Sequence, residues 1–372
     1  MSARAREIVT ELLAGADIRT DGARAWDLHV HDERFYGRVL ASGTLGFGES
    51  YIEGGWDCEA IDEMADRAAR AHLDERVRGN LVNGWASAVA RLSNQQTMRR
   101  ARRVARVHYD LGNEFFAAML GPTMQYSCAY FRGTDDLDEA QRRKMDLICR
   151  KLGLRPGLRL LDIGCGWGGL ARHAATAHGC TVLGVTISSE QQAFATEWCR
   201  GLPVEIRLQD YRQVTGEFDR VVSVGMLEHV GYRNYREFME VAARVLHPEG
   251  LFLCHSIGGQ VSRVRTDPWI ERYIFPRSLL PSPAQVTRAA EALFVLEDVH
   301  NFGADYDRTL LGWARNFEAT WPQFAPRYGE RFGRMWRYYL LGCAGSFRAR
   351  TIDLFQFVFS KRGVPGGYTS VR

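Results

Sequence analysis

The amino-acid sequence predicts an α/β protein: a doubly wound, Rossmann-like sheet preceded by a small α+β module. Three observations carry this. From about residue 101 onward, apolar runs of strand length alternate with stretches of helical periodicity, the pattern a parallel sheet with helices on both faces writes into a chain. One of those runs, Arg159-Leu160-Leu161-Asp162, ends in an acid and breaks into alternating glycines before a helix. The first hundred residues lack the alternation and finish in a strongly basic segment. The division falls at residue 100, giving a small domain over 1–100 and the doubly wound domain over 101–372.

In the first domain, residues 5–13 carry helical periodicity, and residues 26–31 alternate apolar and polar like a half-buried strand. Gly43-Thr44-Leu45-Gly46-Phe47-Gly48 is read as a turn, because no Lys-Ser/Thr follows to make it a phosphate loop. Residues 61–73 and 81–92 are predicted helices. In the second domain strands are predicted over 159–162, 180–185, 204–208, 218–224, 250–257, 294–301 and 354–360. The continuous valines of 218–224 mark a strand buried on both faces. Helices fill the intervals 167–178, 189–200 and 235–246, with Ser188 or Ser189 as a cap, and an aromatic-rich helical stretch covers 310–350. Between 258 and 283 the alternation breaks into an insertion with prolines and aromatics.

The loop Gly164-Cys165-Gly166-Trp167-Gly168-Gly169 is a nucleotide-cofactor signature, since glycines let the backbone turn and approach a ligand ahead of a helix N-terminus. Its spacing satisfies both G-x-G-x-G and the dinucleotide pattern G-x-G-x-x-G. A dinucleotide site wants an acid at the end of the next strand, where this chain has Val185-Thr186-Ile187-Ser188. Asp162 instead suits the cationic amino-acid end of S-adenosylmethionine, which is the favoured reading. Asp210 and Tyr211, following the 204–208 strand, are candidates to accept from an adenine amino group and to stack on its ring.

Composition narrows the partners. No apolar run approaches the ~18 residues of a membrane span, and the first residues lack a signal-peptide centre, so a cytoplasmic location is expected. The eight cysteines include no C-x-x-C pair, which argues against a zinc ribbon or a disulfide framework. Residues 76–109 hold eight arginines and no acid, leaving −4 for the rest of a chain whose formal net charge is +4. A solvated face, a dimer contact or an anionic lipid surface would each suit such a segment. Nucleic acid suits it least, because no aromatics interleave the dense run from Arg91 to Arg106 and no Asn/Asp-Pro-Pro-aromatic string follows the 218–224 strand.

In a doubly wound sheet the ligand lies beyond the carboxyl ends of the strands. Glu228 and His255, which follow neighbouring strands, are therefore expected at one site with the glycine loop. A carboxylate and an imidazole placed together handle protons. Trp269, Tyr273, Phe275, Phe302, Tyr306, Trp313, Phe317 and Trp321 could line an apolar pocket.

Several strings together resemble the cyclopropane-fatty-acyl-phospholipid synthases. They are His108-Tyr109-Asp110-Leu111-Gly112-Asn113, Met124-Gln125-Tyr126-Ser127-Cys128-Ala129-Tyr130-Phe131, the loop from Leu161 to Gly169, Gly184-Val185-Thr186-Ile187-Ser188 and Glu228-His229-Val230-Gly231. Asp267-Pro268-Trp269-Ile270, Tyr273-Ile274-Phe275-Pro276 and His300-Asn301-Phe302-Gly303-Ala304-Asp305-Tyr306 continue the match, which reaches Val30-His31-Asp32-Glu33-Arg34 near the N-terminus. The resemblance implies a class I methyltransferase sheet with a lipid-binding or dimerisation domain at 1–100, and a homodimer. It implies methylene transfer from S-adenosylmethionine to the cis double bond of an unsaturated phospholipid at the inner, anionic face of the membrane. It places Tyr126, Ser127, Gly164, Gly166, Thr186, Ile187 and Gln191 at the donor, where the reading of the glycine loop and of the 204–208 strand already puts Asp162, Cys165, Gly168, Asp210 and Tyr211. It also implies a bicarbonate ion as general base, held by Cys128, Glu228, His255, the Ile257 backbone and Tyr306. Cys343 matches a cysteine offered as a nucleophile, though the chemistry does not require one. The alternative within the same chemistry is an acyl-chain methyltransferase that leaves a methyl or methylene branch and closes no ring.

Overall fold

The computed structural model describes residues 2–73 and 112–372. The His108 to Leu111 part of the first motif, the helix expected at 81–92 and the arginine-rich segment lie outside the described residues. Contacts divide the described chain into two compact units that interleave in sequence: one holds 2–73, 265–276 and 306–352, the other 112–264, 277–305 and 353–372. A single cut at residue 100 describes neither, because helices late in the chain join the N-terminal segment.

The larger unit is built on a seven-stranded sheet. Its strands are β3 (Arg159–Ile163), β4 (Thr181–Thr186), β5 (Val204–Leu208), β6 (Phe218–Val224), β7 (Leu246–Gly259), β8 (Val295–Asn301) and β9 (Ile352–Ser360), numbered after two short strands of the other unit. The order across the sheet is β5-β4-β3-β6-β7-β9-β8. β5 to β7 run parallel along that order, while β8 and β9 pair antiparallel. Alternate residues of β3 enter two cores: Leu161 and Ile163 join Val221, Phe238 and Phe252, whereas Leu160 joins Val182, Val222, Leu170 and Ile148. Every predicted strand of this sheet is present. Register aligns the carboxyl ends, with Ile163 opposite Val185 and Ser223, and Val224 opposite His255. The chain leaves β3 to one side for β4 and to the other for β6, so the sheet's switch point lies at the end of β3.

In the smaller unit, helices Ser2–Ala14, Arg34–Ser42, Thr44–Ile52 and Ile61–Arg70 gather around Trp56, with β1 (His29–Val30) and β2 (Trp56–Asp57) as a two-stranded ribbon. The strand expected over 26–31 is thus reduced to two residues. The glycine-rich stretch expected as a turn is helical from Thr44, and only Gly43 turns, at φ 57°. Gly46 and Gly48 are there for close approach: a Cβ on Gly46 would lie 2.2 Å from the Arg38 carbonyl oxygen, and one on Gly48 2.4 Å from the Trp269 ring. Helix Glu330–Arg348 completes this unit, placing Tyr338 and Leu341 on the Trp56 core. The aromatics expected as a pocket wall are largely core: Trp269, Trp313 and Phe317 are at most 2% exposed.

Candidate active site

The glycine loop leaves β3 with Gly164, Gly166 and Gly168 at φ 82°, 54° and 83°, a conformation open to glycine at little cost. Gly164 and Cys165 donate their amides to the Val185 carbonyl, which fixes the loop against the end of β4. Gly169 opens helix Gly169–His178, and a Cβ there would lie 2.5 Å from both Gln125 Nε2 and the Thr123 carbonyl oxygen. The segment bearing Tyr126, Ser127 and Cys128 is therefore pressed against the helix start. The next strand ends in Thr186, whose hydroxyl donates to Gln191 Oε1 at 3.0 Å, and Ser188 caps the following helix by accepting from the Gln191 amide. Ile187 lies between them. Gln191 is thereby fixed where a dinucleotide site would carry its acid.

Asp162 is 2% exposed, and burial pushes its carboxyl up to about 7 against the opposing pull of Lys144. Lys144 was not legible as a site residue. It sits on helix Leu137–Lys151, fully buried, and donates to Gln125 Oε1 at 2.5 Å and Ser127 Oγ at 2.8 Å. Burial lowers its ammonium to about 7, with Cys128 and Asp162 acting the other way. One turn earlier, Gln141 donates to the Ser127 carbonyl at 2.9 Å. The Gln-x-x-Lys spacing puts both on one helix face, and a polar pair on the apolar face of a helix is the signal that could have found them.

Glu228 and His255 come from the ends of β6 and β7. The Ile257 amide, expected to face the anion, donates to Glu228 Oε1 at 2.7 Å. Burial raises the Glu228 carboxyl to about 7. Burial holds His255 well below its ordinary value, with Lys144 and Lys151 adding to the effect. His255 is therefore neutral, and the Gln356 amide lies 3.2 Å from its Nδ1. Glu228 Oε2 and His255 Nε2 are buried and have no hydrogen-bond partner among the described residues. An imidazole accepting at Nδ1 carries its proton on Nε2, and a neutral carboxyl can donate from Oε2. Two orphaned donors suit a small anion such as bicarbonate. Cys128 is fully buried, and its thiol contacts the Ala129 carbonyl.

Three expectations change. Both oxygens of Asp210 are engaged by Arg212, at 2.9 Å to each of two guanidinium nitrogens. Tyr211 is a core side chain rather than a free stacking face, set edge-on to Phe238 with Arg212 over its ring. Cys343 carries a thiol that burial pushes up to about 12, so it is not the thiolate a nucleophile requires. Cys343 and Tyr306 belong to the smaller unit, where Tyr306 stacks on Phe347 at 4.4 Å.

Comparison with known proteins gives a consistent result. The signature of the family described as mycolic acid cyclopropane synthetase matches residues 96–357. The cyclopropane-fatty-acyl-phospholipid synthase of Escherichia coli (strain K12) is 50% identical over 365 residues, spanning 98% of this chain and 95% of that protein. The tuberculostearic acid methyltransferase UfaA1 of Mycobacterium tuberculosis is 34% identical over 369 residues, spanning 92% of this chain and 85% of that one. Among solved structures, mycolic acid cyclopropane synthase CmaA1 complexed with SAH and CTAB superposes with a TM-score of 0.66 at 34% identity, covering 70% of this chain and 98% of its own. The class I methyltransferase sheet, the donor loop at its switch point and these matches together place the chain in the mycolic acid cyclopropane synthetase family.

Proposed function

We propose that this enzyme adds the methyl carbon of S-adenosylmethionine to the cis double bond of unsaturated phospholipid acyl chains and closes a cyclopropane ring. The observation that carries the reading is the pair of orphaned polar atoms, Glu228 Oε2 and His255 Nε2, delivered by β6, which pairs with the strand bearing the donor loop, and by β7 beyond it. The match to the Escherichia coli synthase covers 98% of this chain and so takes in nearly all of the segment ahead of residue 96, where the family signature begins, which favours a phospholipid substrate. The substrate would be met at an anionic membrane surface. Among the described residues no helix is long and apolar enough to cross a membrane.

The donor supplies an electrophilic methyl carbon, activated by its sulfonium. The alkene is a weak nucleophile, so the protein must hold the partners in line and dry. Asp162 holds the ammonium end of the donor, and the Gln125 to Cys128 segment, tied down by Lys144 and Gln141, closes over it. One alkene carbon takes the methyl as the carbon–sulfur bond breaks, leaving a cation on the other. The added methyl then loses a proton, and its carbon–hydrogen electrons form the second ring bond. Bicarbonate, when bound, supplies the base that receives that proton. Glu228, His255 and Cys128 would hold it, and the assignment of Tyr306 rests on the family resemblance. Because burial raises the Glu228 carboxyl to about 7, its protonated form is well populated near pH 7 and could share a proton with the anion instead of repelling it.

Glu228→Gln tests this directly. The amide keeps the shape but cannot exchange a proton, so turnover should fall by roughly 10²–10⁴ while S-adenosylhomocysteine binds as before. A fully active variant would overturn the role. Mass spectrometry of lipids separates the product classes: a gain of one CH2 with loss of the double bond marks the ring, whereas a branched chain marks the alternative suggested by the UfaA1 match.

A further inference from the structure

The larger unit also gathers a second group of reactive side chains, which the methyl transfer does not use. Helix Leu137–Lys151 presents Asp146 and Cys149, three residues apart and so on one face. Helix Gly169–His178 presents His173 and, at its last position, His178, where Gly179 ends the helix in the left-handed region at φ 67°. The helices pack through Met145, Ile148, Leu170 and Ala174, with Cys149 in the same core. One donor atom each from Cys149, His173 and His178 lie within 4.8 Å of one another. The Nε2 atoms of both histidines are buried without a hydrogen-bond partner among the described residues. Asp146 Oδ1 stands 3.6 Å from His178 Nε2, too far for a hydrogen bond.

We propose that Cys149, His173 and His178, with Asp146 as the outer donor, form a binding site for a divalent transition-metal ion of the zinc class. The donor set matches that class, one soft sulfur and two imidazoles with a carboxylate. A point equidistant from three atoms 4.8 Å apart lies about 2.8 Å from each, so rotamer shifts of roughly half an ångström bring the donors to coordination distance. Charge balances as well. A thiolate and a carboxylate neutralise the divalent ion, and two neutral imidazoles complete four positions. Burial keeps His173 in the neutral, ligating form and raises the Cys149 thiol, so binding expels the thiol proton to solvent as the metal–sulfur bond forms. Entry is from the His178 side, where the His178 and Asp146 side chains are 17% and 44% exposed.

The ion would clamp two helices that both serve the donor loop. One carries Lys144 and Gln141, which hold the Gln125 to Cys128 segment. The other begins at Gly169, against that same segment. The ion would take no part in methyl transfer, although Cys149 and His173 lie within electrostatic reach of Asp162 and Lys144.

Cobalt(II) titration of the full-length, metal-stripped protein is the test, because a bound thiolate gives a near-ultraviolet charge-transfer band and tetrahedral coordination gives intense visible bands. One equivalent should saturate both signals, zinc chloride should displace the cobalt, and zinc should raise the thermal midpoint. Cys149→Ala should abolish the charge-transfer band. His178→Gln, at a partly exposed position that leaves the fold intact, should weaken cobalt affinity by more than about ten-fold, the loss seen even when an outer partner of a ligand is removed. S-adenosylhomocysteine binding by each variant verifies its fold. Absence of the thiolate band, or a band unchanged in His178→Gln, overturns the proposal.

Discussion

Lys144 shows why a charged residue can be both conspicuous in a sequence and unreadable there. On a helix of mixed charge it looks like one more solvated lysine, and only the fold reveals that its neighbours are Gln125, Ser127 and, through its field, Asp162 and Cys128. A hydrogen bond to a buried charge is worth about 1.5–3 kcal/mol, and Lys144 makes two such bonds to the segment proposed to cover the donor. Lys144→Met should therefore weaken S-adenosylhomocysteine binding by about ten-fold or more, ~1.4 kcal/mol or above by calorimetry. The pH dependence distinguishes this from simple damage. Asp162 titrates near 7 in the folded protein, so affinity for the cationic donor should fall as pH drops through that value and the carboxyl gains a proton. Removing the lysine removes what holds that carboxyl down, and the midpoint should move to higher pH. An unmoved midpoint would assign Lys144 a packing role alone. Asp162, Glu228 and His255 were legible because topology predicts which residues end neighbouring strands. Tyr211 was misread because a residue just past a strand can face the core as readily as a ligand.

At the level of elements, period-two and period-3.6 patterns located the seven strands of the large sheet and the helices between β3 and β7, since burial on one or both faces writes itself into the residues, but they missed helix Leu137–Lys151, which carries Lys144. Glycine was the weak point. The stretch from Thr44 to Ile52 forms a helix despite two internal glycines, because tertiary contacts there require the absence of a side chain and override propensity. The same logic governs Gly345, within Cys343-Ala344-Gly345-Ser346-Phe347. A Cβ at that position would lie 2.3 Å from the Asp62 carbonyl oxygen and 2.6 Å from the Asp66 amide nitrogen, both backbone atoms of helix Ile61–Arg70. The string thus marks a helix crossing, reinforced by Arg348 on Asp62 at 2.6 Å and on Asp307 at 3.0 Å. Gly345→Ala should destabilise the smaller unit by about 1–3 kcal/mol, the usual cost of overpacking, read as a lowered midpoint in denaturant unfolding. Cys343→Ser, which changes neither that crossing nor a required thiolate, should retain turnover, and its loss would restore the nucleophile reading.

For the molecule as a whole, what the sequence hid was the return of late segments to the N-terminal unit, since periodicity is local and says nothing of which distant helices share a core. Charge, by contrast, is visible without any structure. Eight arginines without an acid between residues 76 and 109 set a local +8 against −4 elsewhere, so the chain is polarised although its net charge is modest. A lipid substrate gives that polarity a use. Near an anionic bilayer each basic residue contributes about 1 kcal/mol, and the attraction decays over a Debye length of about 10 Å at 0.1 M salt. Replacing Arg99, Arg100, Arg102 and Arg103 by Gln should therefore cost up to roughly 4 kcal/mol of binding to anionic vesicles, nearly three decades in affinity, and flatten its dependence on salt. Binding to zwitterionic vesicles should change little, and turnover on a detergent-dispersed phospholipid should be preserved. Co-sedimentation at two ionic strengths reads the first effect, and release of S-adenosylhomocysteine reads the second. If the four-residue variant sediments with anionic vesicles as the parent does, the arginines serve another contact, and the membrane must be met by a different surface of the protein.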